Sequence, residues 1–345
     1  MSHRVCPFRL GALLACLLLI DRARCPAAEE VWAFAVVTDP EPHGAPADKN
    51  ALAPFADDLR YFKQEFVATA TDERPRPELI IVPGDIAPAE VTAKAFREVL
   101  GEDMPWLPVP GNHDQSRGEA GKISAILAGY KKLDLHWGPA GPTGLQYHFT
   151  YRNALFVGLN IYWNGRLTPG AEIAGDGLTE AGLRWVNDTL AVSKAPYKIV
   201  YGHRPAWPFG GRHDKEPLAK SDELRDLFWK TLADGGCQLY LCGHTHNYSA
   251  YRWLGNEDPH RWQGYTSRII PQAAGVWQID AGSVRGAGSA YDRTVLYFRV
   301  TAEAIEVEAH ICPKALGRKG HYEVPDNNGM MRYRFRIFSD RRITD

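Results

Sequence analysis

The chain has 345 residues, of which 45% are hydrophobic and 23% are charged, and 40 Lys plus Arg against 41 Asp plus Glu give a formal net charge of −1 at pH 7. These values are ordinary for a globular protein and exclude a disordered, collagen-like or low-complexity chain. The near-neutral balance provides no broad electrostatic field for a polyanion, so we expect no nucleic-acid partner.

The first residues, 1–28, have the pattern of a signal peptide. Arg4 and Arg9 precede an apolar run, Leu10–Ile20, and Pro26-Ala27-Ala28 offers a cleavage region. A membrane-spanning helix needs roughly 20 apolar residues, which this run does not reach. We therefore expect a secreted or periplasmic protein with no permanent membrane span.

Three cysteines follow the predicted leader, Cys237, Cys242 and Cys312. An odd number excludes a complete disulfide framework. Cys237 and Cys242 share a predicted strand, where an odd separation directs side chains to opposite faces. We therefore expect buried thiols that pack in the core.

The rest of the chain alternates apolar runs with amphipathic segments. In the first half we predict strands at Val31–Thr38, Leu79–Val82 and Trp106–Val109, and helices at Ala51–Ala70 and Ala89–Leu100. In the second half we predict helices at Thr179–Leu190 and Ser221–Ala233, and strands at Tyr147–Tyr151, Ala154–Ile161, Tyr197–Tyr201, Gln238–Leu241, Val276–Asp280 and Val295–Val300, with an edge strand at Arg332–Phe338. This order predicts an α/β fold with two sheets packed between helices, in a single domain over residues 29–345.

Five short polar motifs each follow a predicted strand directly: Asp39-Pro40-Glu41, Gly84-Asp85, Gly111-Asn112-His113-Asp114, Gly202-His203-Arg204 and Gly243-His244-Thr245-His246. Strand ends at one sheet edge can meet in space. The motifs combine carboxylates, an amide and imidazoles, a mixed set of oxygen and nitrogen ligands that suits Zn, Fe or Mn. A two-metal centre needs a ligand that bridges both ions, and the carboxylate of Asp85 has two oxygens for that role.

In this order the motifs resemble those of the calcineurin-like metallophosphoesterase superfamily, and the resemblance extends from Asp39 to the strands beyond His246. It implies a four-layer α/β/β/α sandwich of two mixed sheets flanked by helices. It also implies a dinuclear centre of divalent or trivalent Fe, Zn or Mn ions at the carboxyl ends of the strands. By position, one metal would be held by Asp39, Asp85 and His246, and the other by Asp85, Asn112, His203 and His244.

The first motif departs from the family pattern. The family usually has His two residues after Asp39, where this chain has Glu41, and some similar relatives have Gln there. Glu41 is an oxygen ligand, acts through water, or leaves that metal with too few ligands, and His43 is a rival for the same role. Pro88 stands where purple acid phosphatases place a tyrosine, so no tyrosinate colour is expected.

The resemblance also implies roles for residues that do not bind metal. It makes His113 the residue that contacts phosphate or protonates the leaving oxygen, and the neighbouring Asp114 can orient its ring or raise its pKa. Arg204, Arg212 and His213 follow the fourth motif and are candidate donors to substrate oxygens.

These residues predict an exported, metal-dependent hydrolase that uses metal-bound hydroxide to cleave phosphomonoesters of a small molecule or a protein. A phosphodiesterase of the same superfamily is the alternative within the class. A different alternative is a non-catalytic binding module that has lost one metal, for which Glu41 is the sequence feature. Oligomeric state and a role for residues 313–332 do not follow from the sequence.

Overall fold

The computed structural model describes residues 31–42, 52–115, 118–163, 177–208, 213, 215–253, 275–286, 291–312 and the backbone of 333–338. All of them belong to one compact unit, Val31–Asp345. The predicted signal peptide, His43, Arg212 and segment 313–332 lie outside the described residues.

The described residues form thirteen strands, five α-helices and a few shorter turns. The strands are β1 (Trp32–Val36), β2 (Pro77–Val82), β3 (Trp106–Pro108), β4 (His136–Trp137), β5 (Tyr147–Tyr151), β6 (Ala154–Gly158), β7 (Tyr197–Tyr201), β8 (Leu239–Cys242), β9 (Tyr248–Trp253), β10 (Val276–Ala281), β11 (Arg293–Val300), β12 (Ala304–Cys312) and β13 (Tyr333–Phe338). The helices are α1 (Ala56–Phe62), which continues as a π-helix over Lys63–Ala68, α2 (Ala89–Leu100), α3 (Glu119–Gly129), α4 (Glu180–Val192) and α5 (Asp222–Asp234).

The strands form two mixed sheets. The six-stranded sheet has the order β13-β12-β11-β1-β2-β3, and the seven-stranded sheet has the order β4-β5-β6-β7-β8-β10-β9. Strands β1, β2 and β3 run parallel, as do β6, β7, β8 and β10. The parallel strands of each sheet therefore end at a common edge, and the polar motifs follow those ends.

Aromatic side chains fill the space between the sheets. The Phe34 ring in β1 meets the Phe156 ring in β6 edge to face, with centroids 5.2 Å apart, and it stacks on Phe298 in β11 at 4.5 Å. Strands β1, β6 and β8 are buried along their whole length, as expected of continuous apolar runs covered on both faces. Helices α1 and α2 contact each other with α1 against β11, and α4 and α5 contact each other with α5 against β10. The predicted α/β/β/α architecture is thereby confirmed.

Most predicted elements lie within a few residues of their predicted bounds. Helix α1 begins at Ala56 instead of Ala51, because Pro54 lies in the turn that precedes it. Helix α5 begins where predicted, with the Ser221 hydroxyl accepting the N–H of Leu224 at 3.2 Å. The buried residues of this helix are Phe228, Trp229, Thr231 and Leu232, while Leu227 is 49% exposed.

Four elements, α3, β4, β9 and β12, were not predicted. Strand β12 carries two buried polar residues, Glu308 and His310. The structure explains their burial: His310 pairs with Glu308 at 2.6 Å and with the hydroxyl of Tyr61 at 2.6 Å. The three free cysteines among the described residues, Cys237, Cys242 and Cys312, are buried as expected.

Candidate active site

The loops after five strands meet at the carboxyl edges of both sheets. Backbone and side-chain hydrogen bonds tie them together: the N–H of Asp39 donates to the carbonyl of Gly84 at 3.3 Å, and the N–H of Glu41 donates to the carbonyl of Asp85 at 3.1 Å. Across the two sheets, the N–H of His244 donates to Oδ2 of Asp39 at 3.1 Å. The motifs therefore converge as predicted, and hydrogen bonds from backbone N–H groups hold their loops together.

The candidate ligands adopt unusual backbone conformations. Positive φ angles occur at Asp39 (51°), Glu41 (28°), Asp85 (55°), His244 (75°) and His246 (57°). A residue other than glycine in this region costs of order 1–3 kcal/mol and persists where its surroundings hold it. Their concentration at the motif positions indicates a functional site.

Two motif glycines are required by close approach. A Cβ at Gly111 would overlap Oδ1 of Asp85, and a Cβ at Gly243 would overlap Oδ2 of Asp39. Only glycine lets the two loops pack directly against these carboxylates. The motif glycines therefore set the position of two of the candidate ligands.

The first cluster consists of Asp39, Glu41, Asp85 and His246, all buried, each with one ligand atom within 4.8 Å of the others. Nε2 of His246 lies 3.3 Å from Oδ1 of Asp39 and 3.1 Å from Oε1 of Glu41. Three carboxylates and one imidazole form an oxygen-rich set that suits a transition-metal ion.

The second cluster consists of Asp85, Asn112, His203 and His244. Nε2 of His203 lies 3.4 Å from Oδ2 of Asp85, 3.0 Å from Oδ1 of Asn112 and 3.1 Å from Nδ1 of His244. Nδ1 of His203 donates to the carbonyl of Pro83 at 2.7 Å, because a carbonyl oxygen can only accept. That bond directs Nε2 of His203 into the cluster, as in metal sites where the second ring nitrogen is anchored.

Asp85 is the residue that the two clusters share. Ligands at about 2.0–2.2 Å from a metal ion lie roughly 3–3.5 Å from one another, which is the spacing of the nitrogen and oxygen atoms in both clusters. Nε2 of His203 and Oδ1 of Asn112 are 3.0 Å apart, and both can direct a lone pair at the other. A cation or a proton between them removes this repulsion. The residues present therefore fit a pair of metal ions.

The protonation of two imidazoles, His203 and His246, reflects the negative charge of the site, whereas burial and the neighbouring His203 lower the pKa of His244. Burial lowers the pKa of His203, but the carboxylates of Asp85 and Asp39 outweigh burial and raise it to about 10. Burial also lowers the pKa of His246, while hydrogen bonds to Asp39 and Glu41 raise it to about 9. Without metal, these carboxylates favour protonation of the two imidazoles, and a bound metal ion would displace those protons.

His113 lies at the entrance of the site, where its side chain is 46% exposed. Its Nε2 is 3.7 Å from Oε1 of Glu41 and 4.0 Å from Oδ2 of Asp85. The backbone N–H of His113 donates to Oδ1 of Asp85 at 2.9 Å. The ring therefore stands beside both clusters and open to an incoming molecule.

Asp114 differs from the sequence-based expectation that it orients His113. Its buried Oδ1 accepts the N–H groups of Ile86 and Ala87 at 3.0 and 2.7 Å, and Oδ2 accepts that of Gly111 at 2.7 Å. Burial and the nearby Asp85 raise the pKa of Asp114 to about 8 against these donors. Its carboxyl group fixes the loops that carry the ligands.

Glu41 belongs to the first cluster, and it is paired with a residue that sequence reasoning missed. The guanidinium of Arg285 forms an ion pair with Glu41, and its Nη2 lies 3.1 Å from Nε2 of His246. Arg285 follows β10, which runs parallel to β8, so its position after a strand end at the same edge was a signal available in the sequence.

Arg204 and His213 are joined by a second missed residue, Glu216. His213 Nδ1 lies 2.8 Å from Oε1 of Glu216, and Arg204 Nη2 lies 3.4 Å from Oε2. The ring of His213 stacks on that of His244 at 4.5 Å, which places both predicted substrate donors beside the second cluster. Glu216 lies in a loop with no motif of its own, so no sequence signal selected it.

Comparison with known proteins defines the class. The family model of the calcineurin-like phosphoesterases matches residues 34–248, a range that includes every candidate metal ligand from Asp39 to His246. The chain belongs to the calcineurin-like phosphoesterase family. Enzymes of this family are hydrolases that act on phosphoric ester bonds.

Two relatives are similar in sequence to part of this chain. Tartrate-resistant acid phosphatase type 5 of Rattus norvegicus and that of Homo sapiens are each 31% identical over 167 residues, which cover 45% of this chain and 48% of theirs. The chain thus spans about half the length of these relatives.

Two solved structures support the fold. The structure of PhoD has a TM-score of 0.57 at 13% identity, covering 91% of this chain and 71% of that one. Purple acid phosphatase PPD1 from yellow lupin (Lupinus luteus) has a TM-score of 0.52 at 12% identity, covering 85% and 53%.

Proposed function

We propose that the protein is an exported phosphatase that hydrolyses phosphomonoesters at a dinuclear metal centre. The observation that supports this most directly is the position of Asp85, whose carboxylate belongs to both ligand clusters. The similarity to tartrate-resistant acid phosphatases favours a phosphatase over other members of the family. The metal ions would be Fe, Zn or Mn.

The first cluster would hold one ion and the second cluster the other. A pair of metal ions supplies Lewis acidity toward a phosphoryl oxygen and lowers the pKa of water. Glu41 would complete the first cluster as an oxygen ligand, since Oε1 lies 3.1 Å from Nε2 of His246. Asp114 keeps the Asp85 and Asn112 loops in register through its three backbone hydrogen bonds.

Residues around the clusters bind the substrate and donate the proton to it. His113 holds a proton at Nε2 at the open side of the site and delivers it to the leaving oxygen as general acid. Arg204 and His213 present N–H groups to substrate oxygens next to the second cluster. Arg204 and His213 lie together beside the second cluster, while the ring of His113 lies beside Glu41 and Asp85.

Hydrolysis of an aryl phosphomonoester and of an aryl phosphodiester tests the proposal. Purified protein is supplied with Mn, Zn or Fe, and both rates are measured beside those of an Asp85→Ala variant. Faster turnover of the monoester, lost in the variant, is the expected result. Preference for the diester would support the phosphodiesterase alternative, and no turnover of either ester with metal bound would support the binding-module alternative.

We also propose that residues 1–28 are removed on export and that residues 29–345 act as one domain. The support is the basic start, apolar middle and small-residue end of the leader. None of the helices within the described ranges has the length and apolar character needed to cross a membrane. N-terminal sequencing of protein recovered outside the cytoplasm should begin near residue 29, and recovery of full-length protein in the cytoplasm would contradict export.

A further inference from the structure

Glu216 contacts a metal-ligand candidate and the substrate loop with the same carboxylate. Oε2 lies 3.2 Å from Nε2 of His244, and Oε1 lies 2.8 Å from Nδ1 of His213. Oε2 also lies 3.4 Å from Nη2 of Arg204. The side chain of Glu216 is 44% exposed, so it reaches the site from the solvent side.

The ring of His244 has one nitrogen facing each partner. Nδ1 faces the second cluster, 3.1 Å from Nε2 of His203, and Nε2 faces Glu216. A carboxylate can only accept a hydrogen bond, so Nε2 carries the proton and Nδ1 presents its lone pair to the cluster. A carboxylate behind a ligating histidine fixes both the tautomer and the orientation of the ring.

His213 is held in the same way by the other oxygen. Its ring is nearly parallel to that of His244, at 25° with centroids 4.5 Å apart. Rings stacked in this way suit hydrogen bonds to the two oxygens of one carboxylate, and they do not direct their lone pairs to one common point. The group of His213, Glu216 and His244 is therefore better suited to hydrogen bonding than to holding a metal ion of its own.

The backbone holds Glu216 in this position. Its N–H donates to the carbonyl of His213 at 3.1 Å, which closes the turn that carries both side chains. Leu218, two residues later, donates to the carbonyl of Pro205 at 2.8 Å and ties the turn to the segment after His203.

We propose that Glu216 is a positioning residue that orients His244 for the metal centre and His213 and Arg204 for the substrate. This inference rests on the proposed function. It makes metal affinity and substrate affinity depend on one carboxylate that belongs to neither set of ligands. Loss of such a carboxylate typically weakens metal binding or activity by about 10- to 100-fold.

Metal affinity provides the test, measured by competition between the full chain and a chromogenic Zn²⁺ chelator. Glu216→Gln keeps the size of the side chain and removes its charge, and we expect about 10- to 100-fold weaker Zn²⁺ binding together with a higher KM for an aryl phosphomonoester. Glu303→Gln, at an exposed turn between β11 and β12, is the matched control and should change neither value. His213→Ala should raise KM and leave Zn²⁺ affinity within about twofold, because it removes only a side chain that binds substrate and leaves Glu216 in contact with His244.

The outcomes separate this inference from the proposed function. If the wild type binds none of Zn²⁺, Mn²⁺ and Fe²⁺, the proposed function itself fails. If the wild type binds Zn²⁺ and Glu216→Gln binds it as tightly as Glu303→Gln does, the positioning role is wrong. Loss of one whole Zn²⁺ equivalent in both Glu216→Gln and His213→Ala, with unchanged affinity for the rest, would make Glu216 a ligand and also overturn it. Circular dichroism of each metal-free variant should match that of the metal-free wild type.

Discussion

Nη2 of Arg285 lies 3.1 Å from Nε2 of His246, the same nitrogen that faces Asp39 and Glu41 in the first cluster. The guanidinium also pairs with Glu41. A fixed positive charge thus stands against a cluster of carboxylates that we propose as a metal site. Arginine stays protonated, so this charge competes with a metal ion for the same ligand atoms at every physiological pH.

Replacement of Arg285 should therefore strengthen metal binding at the first cluster. Arg285→Gln removes the competing charge and leaves Glu41 and His246 in place, and we expect about tenfold tighter binding of Zn²⁺ or Mn²⁺, or about 1.4 kcal/mol. Isothermal titration calorimetry measures the change. Arg299→Gln, which loses a surface pair with Glu306, is the control. Weaker binding in Arg285→Gln would show instead that the guanidinium supports Glu41 in its ligand position.

Removal of His113 should separate chemistry from metal binding. His113→Ala deletes the proposed general acid and leaves both clusters intact, so kcat should fall by about 10²- to 10⁴-fold while the metal content stays at the wild-type value. Steady-state kinetics and elemental analysis of the same preparation give both numbers. An exposed histidine on β4, His136, provides the control variant His136→Ala. Unchanged kcat in His113→Ala would remove the ring from the mechanism.

Metal should also stabilise the fold. The first cluster brings three buried carboxylates together, and a bound cation relieves their repulsion. A ligand that binds only the folded state at 100 times its Kd contributes about 2.7 kcal/mol. We expect the chelator-treated protein to have a lower Tm that rises again when Zn²⁺ or Mn²⁺ is added, measured by calorimetry. The Asp85→Asn variant should gain much less, and an equal gain would place the ion elsewhere.

A buried ion pair supports the segment that carries Arg285. Asp58 in α1 accepts from Arg293 at 2.7 Å through Oδ1, and its Oδ2 accepts the N–H of Gly286 at 2.7 Å. Asp58→Ala leaves the guanidinium of Arg293 buried without its carboxylate, so we expect a loss of about 3–5 kcal/mol in the free energy of unfolding in urea. Its exposed neighbour gives the control Asp57→Ala, expected within about 0.5 kcal/mol of wild type. Similar values for the two variants would contradict this account of the pair.

The sequence predicted the fold and the convergence of the motifs because both have local signals. The buried strand β1 is a continuous apolar run, and Asp39 follows its end directly. Asp85 and His203 are marked in the same way after β2 and β7. A polar residue after an apolar strand can be recognised from a few neighbours in the chain.

The residues that sequence reasoning missed act through contacts that join distant parts of the chain. Arg285 contacts Glu41 although more than 200 residues separate them, and its position after a strand end does not identify Glu41 as its partner. Glu216 is similar, since its function depends on the turn that brings its carboxylate to His244. Asp114 was noticed for the wrong reason: adjacency in sequence suggested His113 as its partner, while its burial directs it to backbone N–H groups.

The number of metal ions per chain tests the central claim most directly. Elemental analysis of the metal-loaded full chain should give about two ions in the wild type and fewer than one in Asp85→Ala, because both clusters lose the carboxylate that they share. Circular dichroism confirms that the variant is folded. A single ion in the wild type, or one ion fully retained by folded Asp85→Ala, would contradict a dinuclear centre built around Asp85.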